Sequence, residues 1–112
     1  MSSFTYAFEG LKWSFIHHRN FQVHTVVAVM VFLMAAVFGV SRMEWIILTF
    51  AVLLGFVTEM VNTAIEEITN LVTIKWARQA KIAKDVSAGM MLLTACATAI
   101  IGLIIFIPHV AQ

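Results

Sequence analysis

The sequence predicts an all-α integral membrane protein in which an N-terminal interfacial amphipathic helix precedes three transmembrane helices. Hydrophobic residues make up 62% of the 112-residue chain, and its mean hydropathy is +0.96. An ordinary soluble domain is only about 45–50% apolar. Three apolar segments are also long enough to cross a bilayer, which takes about 20 helical residues for each span. We therefore expect one membrane-embedded domain that covers residues 1–112.

Residues 3–20 form the predicted surface helix. Apolar side chains recur there at the spacing of one helix face, namely at Phe4, Phe8, Leu11 and Phe15. The charged residues Glu9 and Lys12 lie elsewhere around the helix. A helix with this distribution can lie in the membrane interface. The alternative is an ordinary helix that packs against a partner.

Residues 21–40, 45–72 and 86–107 are the predicted spans, and Pro108 is expected to close the third. The charge of the connecting segments predicts their orientation. The N-terminal segment and the predicted loop at 73–85 carry most of the cationic residues, whereas the turn at 41–44 carries only Arg42. Because Lys and Arg accumulate on the cytoplasmic side, the N-terminus and the second loop should be cytoplasmic and the C-terminus outside.

A stripe of polar residues runs along the second predicted span. At about 100° per residue, five side chains share one helix face: Glu59, Asn62, Thr63, Glu66 and Asn70. An ionisable group inside a membrane costs about 2.5–3.5 kcal/mol on insertion scales. This polar stripe therefore indicates a reaction or transport site. The alternative is that Glu59 and Glu66 hydrogen-bond across helices and hold the bundle together.

The spacing of the two carboxylates suits phosphoryl transfer. Glu59 and Glu66 are two helical turns apart, about 10 Å along the axis. Loss of water favours the neutral form of a carboxylate, so the deeper one can accept a proton as a general base. The shallower one can hold Mg²⁺, which prefers oxygen ligands, and Lys84 can neutralise phosphate charge. These are the groups that phosphoryl transfer needs, although the sequence has no Gly-rich nucleotide-binding loop.

Two motifs of the chain closely resemble motifs of the prokaryotic diacylglycerol kinase/undecaprenol kinase family. The members of this family are small trimeric membrane lipid kinases. The first motif is Glu59-x-x-Asn62-Thr63-Ala64-Ile65-Glu66, and the second is Ala83-Lys84-Asp85-x-x-Ala88-Gly89. The resemblance extends upstream through Phe4-x-x-Ala7-Phe8-x-Gly10-Leu11 and Arg19-Asn20-Phe21. It covers nearly the whole chain and implies a homotrimer in the bacterial inner (cytoplasmic) membrane that phosphorylates a lipid alcohol with ATP and Mg²⁺.

The resemblance also implies roles for individual residues. Glu59 matches the catalytic base, Glu66 matches a carboxylate that binds the metal of ATP, and Asn62 lies between them as substrate or structural support. The remaining matches are to nucleotide-contacting positions: Tyr6, Lys75, Trp76, Lys84 and Asp85.

This chain departs from the family pattern at two positions. His18 stands where the family usually has a second metal carboxylate, and Asn70 stands where it usually has Asp. His18 is a candidate metal ligand that would suit Mn²⁺ or Zn²⁺ better than Mg²⁺. Asn70 is a candidate for contact with the nucleotide or for hydrogen bonding to unpaired backbone groups at the end of the helix. Both changes remove negative charge from the predicted site.

Three questions stay open at this point. A small multidrug-type transporter would also use an embedded Glu, but it would need four spans and a carboxylate in the first. A non-catalytic haem-anchoring subunit would need inward histidines on two spans, and only His24 lies within one. The lipid could be undecaprenol or diacylglycerol. A formal net charge of +1 does not suggest a nucleic-acid partner.

Overall fold

Residues 2–112, which are the residues that the computed structural model describes, form four α-helices and no strand. The four helices are α1 (Ser3–His17), α2 (Arg19–Phe38), α3 (Arg42–Val72) and α4 (Arg78–Val110). By length and composition, α2, α3 and α4 can each cross a membrane. The predicted fold class, an all-α multi-pass membrane protein with one additional N-terminal helix, is confirmed.

The helix boundaries near the N-terminal half differ by a few residues from the predicted ones. His18 has an extended backbone, so α1 ends at His17 and α2 begins at Arg19. Gly39 then ends α2 with a φ of +64°, in the left-handed region that glycine adopts without steric cost. A capping box between Ser41 and Glu44 starts α3 at Arg42, ahead of the predicted start at 45.

The second connection is shorter than the predicted loop at 73–85, and α4 extends beyond both ends of the third span predicted at 86–107. Because α4 already begins at Arg78, the connection shrinks to 73–77, and Lys81, Lys84 and Asp85 are helical. The Lys81 ammonium donates to the Asp85 carboxylate at 2.6 Å, an i,i+4 pair that favours helix. At the other end, α4 continues through Pro108 to Val110. Proline so near a helix end disrupts little, and membrane helices tolerate it.

The interior changes character along the bundle. Toward the α2–α3 turn it is apolar, with a buried cluster formed by Ala35, Val40, Leu48, Ile105 and Phe106. Toward the α3–α4 connection most of the buried residues are polar, namely Thr58, Glu59, Thr63, Ser87 and Thr94, although Phe21 is buried near them. Small residues such as Ala28 on α2 and Ala51 on α3 are also buried, as is usual where membrane helices pack closely. Because the interior is mainly polar at this end and apolar at the other, a functional site is expected at the end near the α3–α4 connection.

α3 and α4 are longer than a bilayer requires. α3 has 31 residues and α4 has 33, so each is about 46–50 Å long against a hydrocarbon core of about 30 Å. Counted from Arg42, about 20 residues suffice for such a core, and that count ends close to Asn62. We count the surplus of both helices toward the α3–α4 connection, where Glu66, Glu67 and the lysines of α4 lie. We call this surplus, residues 62–90, the α3–α4 overhang.

Candidate active site

Glu59 lies at the base of the α3–α4 overhang and is shielded from solvent. The residue is only 3% exposed. Its nearest basic neighbour is His24 on α2, whose Nε2 lies 3.9 Å from Glu59 Oε2. That separation is beyond a hydrogen bond but within reach of an ion pair. A carboxylate held here is available for proton transfer away from bulk water.

His24 is the neighbour that sequence reasoning did not select. Its ring rests on α3 at Gly55, where an added Cβ would lie 3.1 Å from Nδ1, and it packs near the Phe56 ring at a centroid distance of 6.2 Å. The sequence did contain a signal, because an ionisable residue inside an apolar span marks a functional position by default. The sequence did not show how α2 is rotated against α3, and this rotation places His24 next to Glu59.

Asn62 is fixed by a contact between the two long helices. The Ser87 hydroxyl on α4 donates to Asn62 Oδ1 at 2.6 Å, and Ser87 is 1% exposed. With its oxygen occupied, the Asn62 amide nitrogen remains as a donor on the polar stripe. Asn62 is thus held at a fixed place between Glu59 and Glu66, and its role as substrate or structural support stays a prediction.

Glu66 is exposed on the same face of α3, seven residues beyond Glu59. Across residues 2–112, no three His, Cys, Asp or Glu side chains come close enough together to bind a metal ion. Glu66 and His18 therefore do not form a complete protein site within one chain. A single exposed carboxylate does fit Mg²⁺, which is usually held by one or two carboxylates with substrate phosphates and water.

A cavity of about 300 Å³ lies at the tip of the α3–α4 overhang. Four of the predicted nucleotide-site residues line it together: Asn70, Lys75, Trp76 and Lys84. Lys84 Nζ donates to Asn70 Oδ1 at 3.1 Å, so the amide at position 70 orients a lysine that would otherwise be free. Lys81, one of the cationic residues of the predicted loop at 73–85, lines the cavity as well.

The other predicted site residues lie outside this cavity. Asp85 is paired with Lys81 at the helix surface. Tyr6 is 57% exposed on α1. His18 is half-buried at the α1–α2 junction, where its ring packs on Trp13 at a centroid distance of 5.0 Å. One chain thus brings together the cationic cavity and the carboxylate stripe, while Tyr6 and His18 stand apart from the cavity.

The arrangement has the polarity that transfer of an anionic group to a membrane-embedded acceptor requires. The lysines that line the cavity have the charge to attract phosphates, and the buried Glu59 carboxylate lies further along α3, away from the cavity. Glu59 and Asn70 are eleven residues apart, about 16 Å along α3, and Glu66 lies between them.

The sequence profile of the family described as prokaryotic diacylglycerol kinase matches residues 5–106. The undecaprenol kinase of Bacillus subtilis is 38% identical over 106 residues, which are 95% of this chain and 86% of that protein. The diacylglycerol kinase of Synechocystis sp. is 36% identical over 107 residues, 95% of this chain but only 61% of that longer protein. The predicted lipid kinase class is the class of both relatives. The chain belongs to the prokaryotic diacylglycerol kinase family.

Proposed function

We propose that this chain transfers the γ-phosphoryl group of ATP to the hydroxyl of a membrane lipid, with Glu59 as general base. The observation that supports this most is the pairing of a buried carboxylate at the base of the α3–α4 overhang with a cavity lined by three lysines at its tip. Neither feature alone requires a kinase. Together they provide one place for a lipid hydroxyl and another for a polyphosphate on the same pair of helices.

In the proposed reaction, Glu59 takes the proton from the lipid hydroxyl. The lipid oxygen forms a bond to the γ-phosphorus while the bond between that phosphorus and the bridging oxygen of ADP breaks. ADP leaves with the electron pair of that bond, and Lys84 offsets negative charge on the phosphates. Asn62, held by Ser87, can donate its amide N–H to a γ-phosphoryl oxygen or to the lipid.

The nucleotide would be held mainly at the α3–α4 connection. Lys75 and Lys84 would contact phosphates, and the exposed Trp76 indole would contact the base or sugar. Asn70 would keep Lys84 in place, and Glu66 would hold Mg²⁺, which supplies charge neutralisation at the β- and γ-phosphates. Tyr6 and Asp85 are further proposed ATP contacts, and His18 is a proposed additional metal ligand.

A homotrimer is part of the proposal because one chain leaves much of the site uncovered. Glu66 is exposed, and so are Tyr6 and Trp76. A neighbouring protomer would cover the polar stripe and could bring its own α1 toward the cavity. We place the α3–α4 overhang and the N-terminus on the cytoplasmic side of the bacterial inner membrane, because the cationic residues lie there.

The test is a labelled-ATP transfer assay with purified protein in bilayers that contain either undecaprenol or diacylglycerol. We expect Mg²⁺-dependent label in one or both lipids, and separation of the lipid products identifies the substrate. Absence of label in both lipids, with ATP binding intact, would contradict the proposed activity.

A further inference from the structure

The space around His24 is shaped so that its ring reaches the Glu59 carboxylate. On one side, Gly55 has no side chain, and the ring occupies the room that a Cβ would take, with Nδ1 at 3.1 Å and Cε1 at 3.4 Å from that position. On another side, the Phe56 ring is tilted against it. Nε2, the ring nitrogen on the other side of Cε1 from Nδ1, lies 3.9 Å from Glu59 Oε2.

Three features distinguish this contact from ordinary packing. His24 lies in the second turn of α2, a helix long and apolar enough to cross a membrane, where an ionisable side chain is costly without a partner. Gly55 and Glu59 are four residues apart on α3 and therefore adjacent on one face. The glycine that makes room for the His24 ring thus lies one helical turn from the carboxylate that the ring approaches. Finally, Glu59 has no other basic side chain within ion-pair distance among residues 2–112.

We propose that His24 is the positioning residue for Glu59 and that Gly55 is glycine in order to admit the imidazole. This inference rests on the proposed function, because it concerns the proposed general base. His24 Nε2–H would donate to one carboxylate oxygen and so leave the other directed at the lipid hydroxyl. The present separation is long for a hydrogen bond, and such contacts commonly shorten when substrate closes the site. His24 itself touches neither lipid nor nucleotide in this arrangement.

The first experiment compares His24→Gln with His24→Asn in the labelled-ATP transfer assay. A Gln side chain places its amide nitrogen near the position of His Nε2, whereas Asn places its amide near Nδ1 and cannot reach Glu59. We expect His24→Gln to stay within about threefold of wild-type kcat, and His24→Asn to lose about 10- to 100-fold, the range for a small misplacement of a catalytic group. The KM for ATP should be unchanged in both, because the cavity at residues 69–84 is remote. His17→Gln, at an exposed histidine of α1, is the matched control.

The second experiment is a double-mutant cycle with Gly55→Ala. The added methyl must push the ring back by a few tenths of an ångström, so kcat should fall in the wild-type background. In a His24→Ala background no ring is present, and Gly55→Ala should then have no further effect. Coupling of this kind is expected only if Gly55 acts through His24. A purely structural role for Gly55 predicts the same loss of kcat in both backgrounds.

The outcomes separate this inference from the proposed function. If wild-type protein transfers label but Gln, Asn and wild type share one kcat, His24 does not position Glu59 and only this inference is wrong. If wild-type protein transfers no label to either lipid, the proposed function itself is wrong. Thermal unfolding in detergent identifies any variant whose loss reflects misfolding, and the Gly55→Ala cycle then decides the question with variants that do fold.

Discussion

Replacing Glu59 with Gln tests the proposed general base most directly. The amide keeps the size of the carboxylate and still hydrogen-bonds, but it does not accept a proton at neutral pH. The next carboxylate on the polar stripe is Glu66, about 10 Å along the helix, which is too far to substitute for it. We expect turnover to fall about 10²–10⁴-fold, the usual loss of a general base. At about 1.36 kcal/mol per tenfold, this is an increase of about 2.7–5.5 kcal/mol in the activation barrier.

The folded protein should tolerate the same substitution. Glu59 is 3% exposed, and Gln has nearly its volume, so no cavity is created. The substitution also removes a charge from an apolar span, where an ionised side chain is unfavourable by about 2.5–3.5 kcal/mol on insertion scales. Thermal unfolding of Glu59→Gln in detergent should therefore occur at or above the wild-type temperature. A large loss of activity with unchanged stability would separate catalysis from folding.

Glu67→Gln provides the matched control, because Glu67 is an exposed residue of the same helix that lies off the polar stripe. The measurement is the initial rate of label transfer from ATP to lipid at saturating Mg²⁺. We expect Glu67→Gln to retain the wild-type rate. If the Glu59→Gln variant transfers label at a rate within a few-fold of the Glu67→Gln rate, Glu59 is not the general base.

Three further predictions follow from the same geometry. Glu66→Gln should raise the Mg²⁺ concentration needed for half-maximal rate and weaken ATP binding only when metal is present; superimposable titrations would exclude Glu66 as a ligand. His18→Glu should increase Mg²⁺-supported rate relative to Mn²⁺, and identical metal curves would leave His18 outside the site. Ser87→Ala removes the 2.6 Å donor to Asn62, and it should cost about 1–3 kcal/mol of stability and lower kcat, whereas unchanged denaturation and turnover would mean that this contact positions nothing.

The spans and the polar stripe could be predicted because they depend on local composition and on the helical period. Glu59, Asn62 and Glu66 share a face in any regular helix, whatever packs against it. The helical conformation of residues 78–85 could not be predicted in the same way, because their lysines are typical of a solvated loop. In the structure, Asp85 pairs with Lys81 and α4 begins at Arg78. This early start of α4 is what turns Lys81 and Lys84 toward the cavity.

Contacts between helices could not be derived from the chain alone. The approach of His24 to Glu59 depends on how α2 is rotated against Gly55, and the Ser87–Asn62 bond depends on the register of α4 against α3. Sequence periodicity determines which face is polar, but it does not determine which residue of the next helix meets that face. Residues 18 and 6 were assigned from the family pattern, and their roles stay predictions.

The length of α3 has a consequence for the membrane around the protein. Glu59 sits at a depth set by the number of residues between it and the capped start of the helix at Ser41. A thicker bilayer would draw the base below the plane of the lipid hydroxyls, and a thinner one would lift it into the headgroups. Mismatch of this kind costs only fractions of a kcal/mol per ångström, and tilting relieves part of it. The rate of a depth-fixed carboxylate should thus respond to acyl-chain length, which would make the protein sensitive to the thickness of the membrane whose lipid it is proposed to modify.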